Sequence, residues 1–272
     1  MRPLWDFTDL DASERRLRAA LDDETSDAGH AEVLTQLARI KGLHGRFEQA
    51  ETLLTEAEQV AGPSDVAHAR LLLERGRILR LSGDLEAALP LFEEAFVSAL
   101  DAGQRFIAGD AAHMAALAGD MPAWTARGLR LARRSPAARH WIGALLNNLG
   151  WWHAQRGEHA EALEAYRGSL EAYERAARYP YLREAARVGV GRALRALGRA
   201  EEAVPLLEQA VAWAQAAGDQ DRVFHEELAA AYADLGRVDE AAEQERLSRS
   251  AGPGPFAPWQ SRPRPPRSDP GS

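Results

Sequence analysis

Asp110 and His113 stand three residues apart, a spacing that would put a carboxylate and an imidazole on one face of a helix. As a pair they could trade a proton. Together with Glu74 they could offer a metal two carboxylates and an imidazole. Arg77 with Arg80, and Arg192 with Arg195, repeat the same spacing. Each pair could present two guanidiniums to a carboxylate or phosphate, with charge-assisted bonds worth about 1.5–3 kcal/mol each. Asn147 and Asn148 precede Trp151. An asparagine amide carries both a donor and an acceptor for a peptide backbone, although two in succession are a poor choice for a helix by propensity. An exposed tryptophan gains nothing on a surface helix unless it packs or binds.

Catalytic chemistry finds little further support. The chain has no cysteine, which removes thiolate nucleophiles, disulfides and cysteine zinc sites together. No HExxH is present, and GVGRALRAL from Gly189 has two of the dinucleotide glycines but lacks the third and follows no strand. Lys41 is followed by Gly42, so there is no P-loop, and no GxSxG elbow occurs. The expectation is a protein without catalytic residues, metal or cofactor. An enzyme built on Asp110 and His113 is the least favoured reading, resting on their spacing alone. Isolated histidines such as His30, His44 and His68 read as surface residues.

The formal net charge of -8 argues against a general nucleic-acid or acidic-membrane partner. The opening MRPLWDFTDLD has no apolar core of a signal peptide. The longest uncharged stretch, 141–155, is too short to span a bilayer. A cytoplasmic setting is expected, and one lysine among many arginines suits a GC-rich, bacterial genome.

The elements that must position these groups come from a repeat. GRFEQA from Gly45, GDLEAA from Gly83, GEHAEA from Gly157, GRAEEA from Gly198 and GRVDEA from Gly236 are joined by a weak copy, GDMPAW from Gly119. Such a period means stacked helix pairs. Apolar residues at i, i+3, i+4 flank each block: Leu72, Gly76 and Leu79 before Gly83, then Ala88, Phe92 and Ala95 after it. Each unit therefore reads as helix, turn and antiparallel helix. The turn glycine suits a left-handed residue, where a Cβ costs roughly 1–2 kcal/mol. Glu48, Glu86, Glu201 and Asp239 fall in the first turn of the second helix, where they favour the dipole. Small residues recur in register on the first helices at Ala38, Gly76, Ala112, Gly150, Gly191 and Ala229, letting paired helices approach closely.

The small residue, turn glycine, alanine and aromatic of Gly76, Gly83, Ala88 and Phe92, and of Gly150, Gly157, Ala162 and Tyr166, resemble the tetratricopeptide repeat family. The resemblance implies an all-α, right-handed α-solenoid of about six antiparallel helix pairs. The period of about 38 residues exceeds the family's usual 34 or so, which implies longer helices, as in kinesin-light-chain-like and bacterial signalling proteins. The third pair is degenerate, with Pro122 at the helix start and Trp124 in place of alanine. The expected organisation is an N-terminal arm over 1–28 with a capping helix at 11–21, then a solenoid over 29–250. Its units fall at about 29–62, 63–102, 103–134, 135–177, 178–217 and 218–250, and Ser135-Pro136 is expected to open the fourth as a helix cap. A Pro-rich tail over 251–272 is expected to be disordered or partly polyproline II, with RPRPPR as a candidate core for a small adaptor domain.

The family's geometry implies that two first-helix rows line a concave groove. One is Gln36, Glu74, Asp110, Asn148, Gly189 and Glu227. The other is Arg39, Arg77, His113, Trp151, Arg192 and Ala230, with Arg80 and Arg195 a turn further on. The bland alternative is a set of solvated helix faces laced with ion pairs such as Glu74 with Arg77. In peptide- and carboxylate-binding members, groove asparagines and basic residues hold the ligand. The expected site is thus Glu74, Arg77, Arg80, Asp110, His113, Asn147, Asn148, Trp151, Arg192, Arg195 and Glu227. Its mixed charge favours a peptide or protein segment. The second choice is a small anion or zwitterion sensed by Arg77, Arg192, Asn148 and His113. Trp152 is expected to pack against a neighbouring repeat, and the protein to be a monomer or dimer.

Overall fold

The computed structural model describes residues 4–6, 9–62, 64–176, 179–218 and 221–252. The expected proline-rich tail lies, from residue 253 onward, outside the described residues. Helix α1 (Leu10–Asp22) precedes six helix pairs: α2 (Asp27–Leu43) with α3 (Phe47–Ala61), α4 (Asp65–Ser82) with α5 (Leu85–Asp101), and α6 (Arg105–Ala118) with α7 (Met121–Arg134). The later pairs are α8 (Ile142–Ala154) with α9 (His159–Ala176), α10 (Pro180–Ala196) with α11 (Ala200–Ala216), and α12 (Arg222–Asp234) with α13 (Val238–Ser250). A 3-10 helix, Pro136–Trp141, stands between α7 and α8.

Local chemistry sets these boundaries. Ser26, Ser64, Asp84 and Asp120 each accept a backbone N–H of their helix's first turn, which satisfies one of the donors a helix start leaves open. Gly45, Gly83, Gly157, Gly198 and Gly236 turn the chain with φ between 71° and 96°, the left-handed region that excludes most side chains. Gly119 does not. Its φ is -139°, and a Cβ there would lie 2.8 Å from a Leu89 methyl. In the divergent third unit the glycine serves close approach and not chain reversal.

Within the pairs, a Cβ added to Gly76 would lie 2.6 Å from the Phe92 ring, one at Gly150 2.8 Å from Tyr166, and one at Gly191 2.7 Å from Leu207. The small residues therefore seat the large side chains of the opposing helix, and the core runs through the stack as a series of local clusters. Trp124 joins one of them, edge-on to Phe96 with centroids 5.4 Å apart. Trp152 packs against the same cluster, under the Arg156 guanidinium.

Successive first helices touch, α2 to α4, α4 to α6, α6 to α8, α8 to α10 and α10 to α12, while each second helix packs between the first helices that flank it. Like helices approach on the inner side of a curved stack, so the even-numbered helices form the concave layer.

One boundary differs from expectation. Ser135 makes no side-chain cap, and Pro136 opens the 3-10 helix instead of α8. The reason is Trp141, whose Nε1 donates to the Phe106 carbonyl at 3.0 Å while its ring lies where a Cβ on Gly109 would be, 2.5 Å away. Anchoring that indole on α6 pulls the connection into a tight turn, and α8 begins only at Ile142.

Candidate functional site

The two rows run along the concave layer and fall into three stretches of different character. At the first, Arg77 is buried between two acids. Its Nε lies 3.2 Å from Glu74 Oε2, and an Nη lies 2.5 Å from Asp110 Oδ1. Neither contact is aligned as a hydrogen bond, so the cluster is held by charge. Burial pushes the Asp110 carboxyl up, but Arg77 and Arg39 outweigh it and hold the group below its ordinary value. Burial, with Arg77 nearby, lowers the Arg39 guanidinium to about 10, which leaves it charged at neutral pH. An arginine thus occupies the place a metal ion would need between Glu74 and Asp110. A carboxyl held down in this way is also a poor proton acceptor near neutral pH.

Trp5 closes this end. Its Nε1 donates to Gln36 Oε1 at 3.0 Å, and the Arg39 guanidinium stands 5.3 Å from its ring centroid. Leu4 and Trp5 also pack on the cluster of Leu17, Val33, Leu37 and Ile40 that joins α1 to α2. Arg80, one turn beyond Arg77 on α4, is half-buried, and its Nε is fully covered without an acceptor. Burial and the charge of Arg77 lower its pKa.

The middle stretch is aromatic. Asn148 Nδ2 and His113 Nε2 are 2.8 Å apart, and the His113 ring stacks on Trp141 with centroids 5.4 Å apart. Trp141 in turn contacts Phe106 and His140. Trp151 is partly exposed, with one side packed on the core of the next unit. Asn147 is partly exposed on α8.

At the third stretch Glu227 accepts from Arg192 Nε at 2.7 Å and from an Nη of Arg195 at 3.0 Å, and Arg195 also reaches Asp234 at 2.9 Å. Burial lowers the Arg192 pKa, but Glu227 and Tyr166 more than reverse it. Tyr166 belongs to second helix α9, yet its ring fills the gap that Gly150 and Gly189 leave between α8 and α10. Gly189 interrupts an otherwise polar row because a side chain there would strike Tyr166, 2.5 Å away.

The fold therefore brings together Glu74, Arg77 and Asp110; His113 and Asn148; and Arg192, Arg195 and Glu227. Sequence reasoning did not foresee Trp5, Trp141 or Tyr166 beside them. Gly109 and Gly189, small where the helix pattern asks for nothing small, are the traces those side chains leave in the sequence.

Two tetratricopeptide-repeat family models match the chain, one over residues 29–96 and the other over 143–177 and 185–217, together half of its length. The chain belongs to the tetratricopeptide repeat family. The matched repeats bracket 97–142, the stretch that contains the third unit and Trp141. Among solved structures the chain is similar to apo RapI, at 12% identity over 89% of this chain and 91% of that one, with a TM-score of 0.54. It is likewise similar to the apo quorum sensor NprR from B. thuringiensis, at 13% identity over 89% and 82%, TM-score 0.54. BtubC from P. vanneervenii shares 17% identity over 96% and 94%, with a TM-score of 0.47. No protein of curated function matches the chain. The family match establishes the tetratricopeptide repeats, the likeness to RapI and NprR is one of fold, and no described helix is long and apolar enough to cross a membrane.

Proposed function

We propose that this tetratricopeptide-repeat protein is a non-enzymatic interaction scaffold that holds a peptide or protein segment along its concave face. The observation that carries the reading is the pairing of Asn148 with His113 beside the partly exposed Trp151. These groups sit at the centre of the concave layer, between two ion clusters. An extended segment laid across the first helices would meet amide and imidazole groups for its backbone, an indole face for an apolar side chain, and charge at either end. The mixed signs fit a protein partner better than a nucleic acid. The protein would act in the cytoplasm as a monomer or dimer.

The test is retention of a partner isolated from the native host. Asn148→Ala combined with Trp151→Ala should weaken it about thirtyfold or more, the cost of removing an anchor residue. Because Trp151 also packs on the core, Trp213→Ala on α11 serves as a matched loss of packing and should leave binding intact. Equal retention by the double variant and wild type would defeat the reading. A small-molecule ligand in the same groove is the second reading, favoured by the unpartnered guanidinium of Arg80. Native mass spectrometry of protein from its own host would reveal it as a retained small mass.

A further inference from the structure

We infer that helix α7 is a second contact surface, on the convex side, for an acidic segment of a partner protein. It is independent of the concave groove and adds a face to the molecule. Its basis is a reversal of charge along the outer layer. Helices α3, α5 and α11 carry acids and no base, and α9 and α13 carry more acids than bases. Helix α7 has four arginines, Arg127, Arg130, Arg133 and Arg134, and no acid. No acidic residue occurs between Asp120 and Glu158, in a chain whose net charge is -8. All four arginines are exposed, as is Arg139 on the 3-10 helix that follows. None of the five has an ion pair among the described residues, although Arg167 and Arg175 of α9 reach Glu164 and Glu171, and Arg246 of α13 reaches Glu243.

Stability of the helix does not account for the stripe. Arg133 and Arg134 stand in the last turn, where cations suit the dipole, and Arg127 lies over the Trp124 ring at 4.3 Å. Arg130 has neither role, and with Arg134 at i, i+4 it adds a like-charge repulsion. Arg127, Arg130 and Arg134 share one face at i, i+3 and i+7, and the exposed Ala123 and Ala126 beside them let a partner lie close. The neighbouring helices limit the partner's width. On the outer layer α7 lies between α5 and α9, whose Glu86, Glu93, Glu161 and Glu164 are exposed. A membrane surface or a nucleic-acid duplex would span all three helices and meet those acids. A single nucleic-acid strand is narrow enough, but its charge runs on past the two turns of the stripe, where the net charge of -8 repels it. An acidic protein segment, one helix or one extended strand wide, ends where the stripe ends, and its carboxylates suit guanidinium forks.

The experiment follows the fluorescence anisotropy of labelled probes titrated with the full chain at about 50 mM salt, where exposed charges are weakly screened. The probes are a helical peptide of alanine and glutamate, the same peptide with glutamine for glutamate, and a single-stranded oligothymidylate of equal charge. Phosphatidylserine vesicles are tested by co-sedimentation. Only the acidic peptide should bind. Arg130→Glu with Arg134→Glu should weaken it roughly tenfold or more, and Arg130→Gln with Arg134→Gln by a smaller factor. Arg15→Glu with Arg46→Glu, at exposed sites away from α7, makes the same change in net charge and should leave affinity within about twofold. Melting temperatures should match wild type, since every substituted arginine is exposed. Asn148→Ala with Trp151→Ala should leave peptide binding unchanged. Five outcomes would each overturn the inference: no binding of the acidic peptide, equal losses in the two charge-reversed variants, loss in the groove variant, tighter binding of the oligothymidylate or vesicles, or self-association by light scattering that charge reversal on α7 abolishes. Since α7 contributes nothing to the concave layer, its failure leaves the scaffold reading standing.

Discussion

At the scale of single residues, Arg77 decides the state of the first ion cluster. It is one buried cation between two buried acids. Removing it strands both charges, and losing one partner of a buried pair costs about 3–5 kcal/mol. Arg77→Gln should therefore lower the urea midpoint strongly, whereas Arg80→Gln, with no acid to abandon, should not. Asp110 gives the pH dependence. Its folded pKa lies below the unfolded one, so the stability it contributes is complete above the unfolded carboxylate pKa of about 4 and is lost as pH falls through the folded value. Denaturation of wild type and Asp110→Asn should show a stability gap at neutral pH that narrows below about pH 4. A gap constant to pH 2 would contradict the charge-held cluster. Glu74 and Arg77 are legible as an i, i+3 pair from the sequence alone. That Asp110, on the next first helix, completes the cluster depends on how α4 lies against α6.

At the scale of elements, two kinds of glycine do different physical work. Gly83 has φ of 96° and open space for 4 Å around the place a Cβ would take, so Gly83→Ala should cost roughly 1–2 kcal/mol through the backbone alone. Gly76 is helical, and its Cβ would meet the rigid Phe92 ring, so Gly76→Ala should cost about 1–3 kcal/mol through overpacking. A double-mutant cycle with Phe92→Leu separates them: the smaller side chain should recover part of the Gly76→Ala loss and none of the Gly83→Ala loss. Turn position and helix period are local properties, which is why both glycines are readable from the repeat. The 3-10 helix before α8 is not, because its cause is a contact between Trp141 and α6 across the fold. Gly119 looks like the other turn glycines in sequence and differs only in its φ and in the Leu89 side chain against it.

At the scale of the whole molecule, a solenoid derives its stability from units and their nearest neighbours. Helix α1 packs on α2, and Leu4 and Trp5 pack on the cluster that joins them. Trp5→Ala should speed hydrogen exchange in α2 and α3 while leaving α10 and α11 unchanged, and a uniform change along the chain would argue against local coupling. The repeat by itself determined the helices, their pairing and the residues that share a row, because period, turn glycines and small–large complementarity are encoded within each unit. Only the tertiary structure decided which members of a row are buried as an ion cluster and which are matched by partners. Those outcomes depend on side chains from different units meeting across the concave layer, on Trp5 and Trp141, which stand outside the repeat register, and on Tyr166, an in-register aromatic that reaches the layer through the gaps at Gly150 and Gly189.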